Sequence, residues 1–68
     1  MRHETIQYSV PAVHCEHCVM SIREEVSEVE GVDSVEIDLQ SKIVTITGRE
    51  LDEAALRAAI EEAGFEAA

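Results

Sequence analysis

Tryptophan is absent from this chain, and Tyr8 and Phe65 are its only aromatic residues. Positive charge is scarce too: five Lys and Arg stand against fifteen Asp and Glu, a net charge of −10. That balance argues against nucleic acid and anionic membrane surfaces as partners, since both would repel the chain. It suits a solvated acidic surface and permits a basic protein partner. No apolar stretch approaches the roughly 18 residues a membrane span needs. The opening Met1-Arg2-His3-Glu4-Thr5 leads into no apolar run of the kind a secretory signal carries. The expectation is therefore a cytoplasmic protein, in which thiols stay reduced. Only two cysteines occur, Cys15 and Cys18. A disulfide between them would close so short a loop that it would barely restrict the unfolded chain, so a structural staple is not their purpose.

What is present fits one domain over residues 1–68 with a modest core. A chain this short buries only about 60% of the surface its unfolded form exposes. An apolar content of 46% argues against disorder. Thr5 to Val10 alternates, with Ile6, Tyr8 and Val10 on one face, and reads as a half-buried strand stopped by Pro11. After a loop over 12–17, Cys18, Val19, Ile22, Val26 and Val29 fall at helical spacing within 16–30, and Gly31 is expected at C′. Val35, Ile37 and Leu39 alternate again. Gln40-Ser41 predicts a short turn, and Ile43 to Thr47 a third strand with Val44 and Ile46 inward. Asp52 is the predicted N-cap of a second helix running to Ala63. Leu51 and Leu56 are placed to form a hydrophobic staple, and Gly64 ends the helix. Phe65 to Ala68 is expected to return as a short final strand. The order β-α-β-β-α-β, with right-handed crossovers, predicts an α+β, ferredoxin-like fold: a four-stranded antiparallel sheet with two helices on one face.

The chemistry lies at the first strand–helix junction, in His14-Cys15-Glu16-His17-Cys18. Two thiols three positions apart can face one another across a single turn there. A helix N-terminus helps to keep a thiolate ionised, and the thiolate is the form that binds metal. Two thiolates with no carboxylate at ligand spacing favour a soft ion, Cu(I), over harder ones. Zn(II) would want four ligands, and His14 and His17 are the nearby candidates to join Cys15 and Cys18. Sequence alone leaves Zn(II) and Hg(II) open. The plainer readings are two ordinary reduced cysteines and two solvent-facing histidines. Cys15 is expected to be exposed and Cys18, in the first helical turn, partly buried and the better helped by the helix dipole. Glu16 reads as docking surface, His3 as terminus and Met20 as surface.

The pattern resembles the heavy-metal-associated domain, a family of small copper chaperones and N-terminal metal-binding domains of copper-transporting P-type ATPases. The resemblance rests on Val13-His14-Cys15-Glu16-His17-Cys18, Glu30-Gly31-Val32, Lys42-Ile43-Val44-Thr45-Ile46 and Ala63-Gly64-Phe65-Glu66, and covers nearly the whole chain. It implies that Cys15 and Cys18 bind Cu(I) as a bis-thiolate and pass it by ligand exchange to a copper-transporting P-type ATPase or another copper-accepting protein, without catalysis. The metal-free form is then a monomer, with a metal-bridged dimer open for the loaded one. Two positions depart from, or do not decide, the family pattern. Ala12-Val13 stands where the family usually has Gly-Met, with Val13 expected to fill the space beneath the loop. Phe65 leaves carrier and ATPase domain both open, and the start at Met1 favours the free-standing carrier. A thiol–disulfide oxidoreductase is the rival from another class, but no Trp precedes the motif and a thioredoxin fold needs a longer chain. Haem attachment would need His after Cys18, where Val19 stands.

Overall fold

The alternating segments form strands and the helical ones helices, in the order β1 (Glu4–Ser9), α1 (Glu16–Ser27), β2 (Val32–Asp38), β3 (Ile43–Gly48) and α2 (Glu53–Glu62). The computed structural model describes residues 3–67. β3 lies in the middle of an antiparallel sheet of order β1-β3-β2. Its register sets Tyr8 opposite Val44, Ile6 and Val35 opposite Ile46, and Ile37 opposite Val44. The inward residues of all three strands therefore share one face. Gln7, Thr45 and Glu36 line up on the other, where the Gln7 Nε2 donates to Thr45 Oγ1 at 3.2 Å.

Both helices lay their apolar stripes on the inward face. Ile22 and Val26 of α1 and Leu56, Ala59 and Ile60 of α2 are buried against Tyr8, Val10, Val35, Val44 and Ile46. No buried polar side chain interrupts this core among the described residues. Asp52 caps α2 as expected, accepting from the Ala54 amide at 3.0 Å. Leu51, expected to pair with Leu56, packs half-buried against the cluster that holds Leu56. The Tyr8 hydroxyl donates to the Glu53 carbonyl at 3.3 Å, tying β1 to the first turn of α2.

Three expectations need correction. First, α1 ends at Ser27, three residues before Glu30. Its last bonds tighten to the residue three back, Glu28 to Glu25 and Val29 to Val26, as the half-buried Val29 turns toward the core. Gly31 is consequently not C′ of the helix; it sits in the turn into β2 with a φ of +94°. Second, the β2–β3 loop is four residues long, 39–42, not two. The Asp38 carboxylate accepts from the Gln40 amide at 2.8 Å, the Lys42 amide closes on the Asp38 carbonyl, and Lys42 takes a left-handed φ of 63°. Third, the described residues contain three strands, with no fourth. Gly64 and Phe65 instead close α2 in a Schellman arrangement, Phe65 N–H to the Ile60 carbonyl and Gly64 N–H to the Glu61 carbonyl. The Phe65 amide is thus spent on the helix, which leaves Glu66 and Ala67 too short a stretch to build a ladder. The last residue of the expected strand, Ala68, lies outside the described residues.

The two left-handed glycines differ in surroundings, and this gives a test. A Cβ on Gly31 would run into the Arg49 carbonyl, whereas one on Gly64 would meet open space. Gly64→Ala should lose only the left-handed penalty of roughly 1–2 kcal/mol, and Gly31→Ala distinctly more. Urea unfolding of both variants checks this, and equal losses would refute the steric argument.

Candidate metal site

The loop between β1 and α1 is built by alternately burying and exposing the chain. Val10 is buried, and its amide donates to the Lys42 carbonyl at 2.8 Å. Pro11 and Ala12 then form an exposed turn, closed by Val13 N–H on the Val10 carbonyl at 3.1 Å. Pro11 suits the second position of such a turn, because its φ is already set there. Val13 drops back into the core with no exposed surface, which fills the space beneath the loop. His14 emerges again, and its Nδ1 donates to the Ala12 carbonyl at 2.8 Å.

Cys15 occupies the N-cap of α1, with extended backbone (φ −151°, ψ 169°), and its carbonyl accepts the first helical bond from Val19 at 3.1 Å. Cys18 falls one turn on. The two sulfurs stand 3.3 Å apart as free thiols, and both residues are half-buried. Cys15 is thus less exposed than expected.

The Cys15 thiol is held below the ordinary thiol pKa, chiefly by the Cys18 backbone N–H and then by the Cys18 thiol. The His17 amide adds to this, while desolvation and the Glu16 charge oppose it. The cause is local: the side chain at an N-cap faces the amides two and three residues on. The expectation made Cys18 the better helped by the helix, whereas the lowered pKa falls on Cys15. The helix start at Glu16 already implied that Cys15 is the N-cap.

One imidazole nitrogen of His14 and the sulfurs of Cys15 and Cys18 lie within 4.8 Å of one another. Among the described residues no other group of three such side chains converges in this way. His17 is exposed on the first turn of α1 and stands outside the cluster. Phe65 packs against the core and shares a cleft with Pro11 and Ala12 at the base of the loop. Met20 is 57% exposed on α1, a surface residue as expected. The Ala12 carbonyl was not singled out from sequence, because a backbone acceptor leaves no trace in residue type.

Residues 7–66 match the family model of the heavy-metal-associated domain. This chain belongs to the heavy-metal-associated domain family. Several relatives share sequence with it across most of their lengths. A COP-associated protein from Helicobacter pylori is 35% identical over 60 residues, 88% of this chain and 86% of the relative. The mercuric transport protein periplasmic component of Serratia marcescens is 30% identical over 64 residues, 91% of this chain and 70% of the relative. Among solved structures, the copper chaperone Atx1 from Synechocystis superposes with a TM-score of 0.80 at 40% identity, covering 93% of this chain and 98% of that one. The heavy-metal-associated fold is therefore present here, with the cysteine pair at its first strand–helix junction.

The packing of Val13 under the loop yields a measurable consequence. Val13→Ala should lower the unfolding free energy by about 1–3 kcal/mol, the worth of a buried valine side chain. His17→Ala, at an exposed position, should change it by less than about 0.5 kcal/mol. Chemical denaturation of the metal-free, reduced variants measures both, and a Val13 loss no larger than that of His17 would show that the loop does not rest on this residue.

Proposed function

We propose that this domain is a carrier of Cu(I), which it holds between the thiolates of Cys15 and Cys18 and passes to a partner by ligand exchange. The single observation that supports this most is the pair of free, half-buried sulfurs 3.3 Å apart at a helix N-terminus. Two soft donors suit a soft ion, and the lowered Cys15 pKa favours the ligating thiolate. The Synechocystis structure, named as a copper chaperone, agrees in kind. The ion is cargo, and no catalytic step is assigned to the domain. The receiver is a copper-transporting P-type ATPase or another copper-accepting protein. We place the domain in the cytoplasm, where thiols stay reduced; no helix among the described residues is long and apolar enough to cross a membrane.

A second reading has one observation in its favour. The Serratia marcescens relative is named for mercuric transport, and Hg(II) is also a soft ion that two thiolates suit. The metal content of protein purified under reducing conditions, followed by competition between Cu(I) and Hg(II), separates the two.

Reduced wild-type protein should take up one Cu(I) per monomer. Cys15→Ser or Cys18→Ser should collapse that affinity, because an alcohol is a poor ligand for a soft ion, while the fold survives. Titration against a strong Cu(I) chelator measures it, and wild-type affinity in Cys15→Ser would sink the bis-thiolate reading.

Docking gives a separate expectation. Glu16 borders the loop, and the chain carries a net charge of −10, so the receiver should carry Lys or Arg around its own metal loop. Steering of this kind raises on-rates by roughly 10–10³. It fades as the Debye length shrinks from about 30 Å at 0.01 M to about 10 Å at 0.1 M ionic strength. The second-order rate of copper transfer should fall across that range in stopped-flow measurements, with the final partition shifting less. A rate flat in salt would mean that the acidic surface serves solubility alone.

A further inference from the structure

We propose that His14, and not His17, is a third metal ligand of this domain, and that it gives the loop a two-sulfur, one-nitrogen set that also holds Zn(II). The proposal rests on the reading of Cys15 and Cys18 as ligands and adds to it a donor and a second cation.

Three observations converge on it. The first is placement. One His14 nitrogen and both sulfurs already lie within 4.8 Å of one another; metal–sulfur bonds of about 2.3 Å and metal–nitrogen bonds of about 2.0 Å span about 4.3 Å end to end, so the imidazole has only to close in on the sulfurs for one ion to take all three. His17 has the same side chain and stands outside that cluster.

The second is the hydrogen bond from His14 to Ala12. A carbonyl oxygen only accepts, so the proton of a neutral ring sits on Nδ1, 2.8 Å from it. Nε2 then keeps the lone pair a metal needs. A backbone acceptor that fixes the tautomer of a histidine in this way is what metal-bound imidazoles generally have behind them. His14 gains that support before any ion arrives.

The third is the sulfur separation. Two thiolates bound linearly to one ion at about 2.3 Å each would stand ~4.6 Å apart, against ~4.0 Å in a trigonal set and ~3.8 Å in a tetrahedral one. The observed 3.3 Å lies closest to the sets of higher coordination. Reaching them takes less opening of the turn than the linear arrangement does. Zn(II) prefers nitrogen and sulfur donors in fours, and three protein donors leave one position for water or an incoming partner group. Binding releases the two thiol protons to solvent and leaves the neutral imidazole neutral.

The test uses the reduced protein with Zn(II) and Co(II) alone as probes. His14→Ala removes the donor. His14→Asn removes Nε2 while offering an amide N–H near the place of Nδ1, so it keeps a donor for the Ala12 carbonyl. Both should weaken Zn(II) by about tenfold or more, as loss of a ligand should, and should alter the visible absorption of the Co(II) form. His17→Ala should leave both readouts near wild type. Wild-type Zn(II) affinity in His14→Asn would overturn the proposal. So would equal losses in the His14 and His17 variants, or one Zn(II) shared by two wild-type molecules, since a second copy would then supply the missing donors. Cu(I) affinity should be nearly the same in all three histidine variants. It is the cysteine variants that test Cu(I) binding, so failure there would count against the carrier reading and not against the role of His14.

Discussion

Val13 enters the core between the end of β1 and the start of α1, and the exposed residues on either side hold their places because it does. With no exposed surface of its own, it fixes where the chain can surface again. The turn before it is closed by its own amide on the Val10 carbonyl. The residues after it, His14 and Cys15, are delivered to the surface at the moment the helix begins. A loop pinned at its centre by a buried side chain has few ways to rearrange, and loops held so by a rigid scaffold are where binding groups are commonly found. The sulfurs gain their proximity from this anchoring and from one turn of helix, without a disulfide.

The helix supplies the electrostatics as well as the spacing. The first amides of α1 have no partner within the helix, and the Cys15 sulfur sits where an N-cap oxygen would normally satisfy them. No cap hydrogen bond of ordinary length forms, which agrees with a large, weakly accepting atom in that position. The same amides still draw the Cys15 pKa down, ahead of the opposing desolvation and the Glu16 charge. The lowered pKa and the start of the helix are therefore two results of one residue's placement.

Much of this was legible in the chain, for reasons that differ between elements. The alternation of Ile6, Tyr8 and Val10, and of Val44 and Ile46, reports a sheet with one wet face directly, because a strand repeats every two residues. Asp52 was readable as a cap because its carboxylate has one useful thing to do before a helix. The misreadings come where tertiary contacts decide. The end of α1 is set by Val29 turning into the core, which periodicity alone does not distinguish from another helical turn. The hairpin loop is set by the Asp38 carboxylate and by Lys42 adopting a left-handed φ that its residue type does not advertise. The fourth strand fails because the Phe65 amide goes to Ile60, a competition between helix closure and sheet extension over one donor. At the site, the spacing of the cysteines placed the sulfurs together, but it did not separate His14 from His17. The two residues are equally near in sequence and differ only in which side of the helix start they stand on.

That difference bears on what kind of metal site such a loop can be. In a structural site the ion holds elements together, and the fold depends on it. Here the fully buried residues, Val10, Val13, Ile22, Val26, Val44, Ile46, Leu56 and Ile60, close the core by themselves. The thiols sit at its margin, half-exposed and joined to it through a single turn. On the carrier reading proposed above, a fold that closes its core without a metal would be free to part with one. An ion held by few donors, at a surface where an incoming group can approach, can be handed on one ligand at a time. The small core leaves little stability to spare; on that same carrier reading, apolar packing keeps the shape and leaves the cysteines of the loop free to exchange an ion.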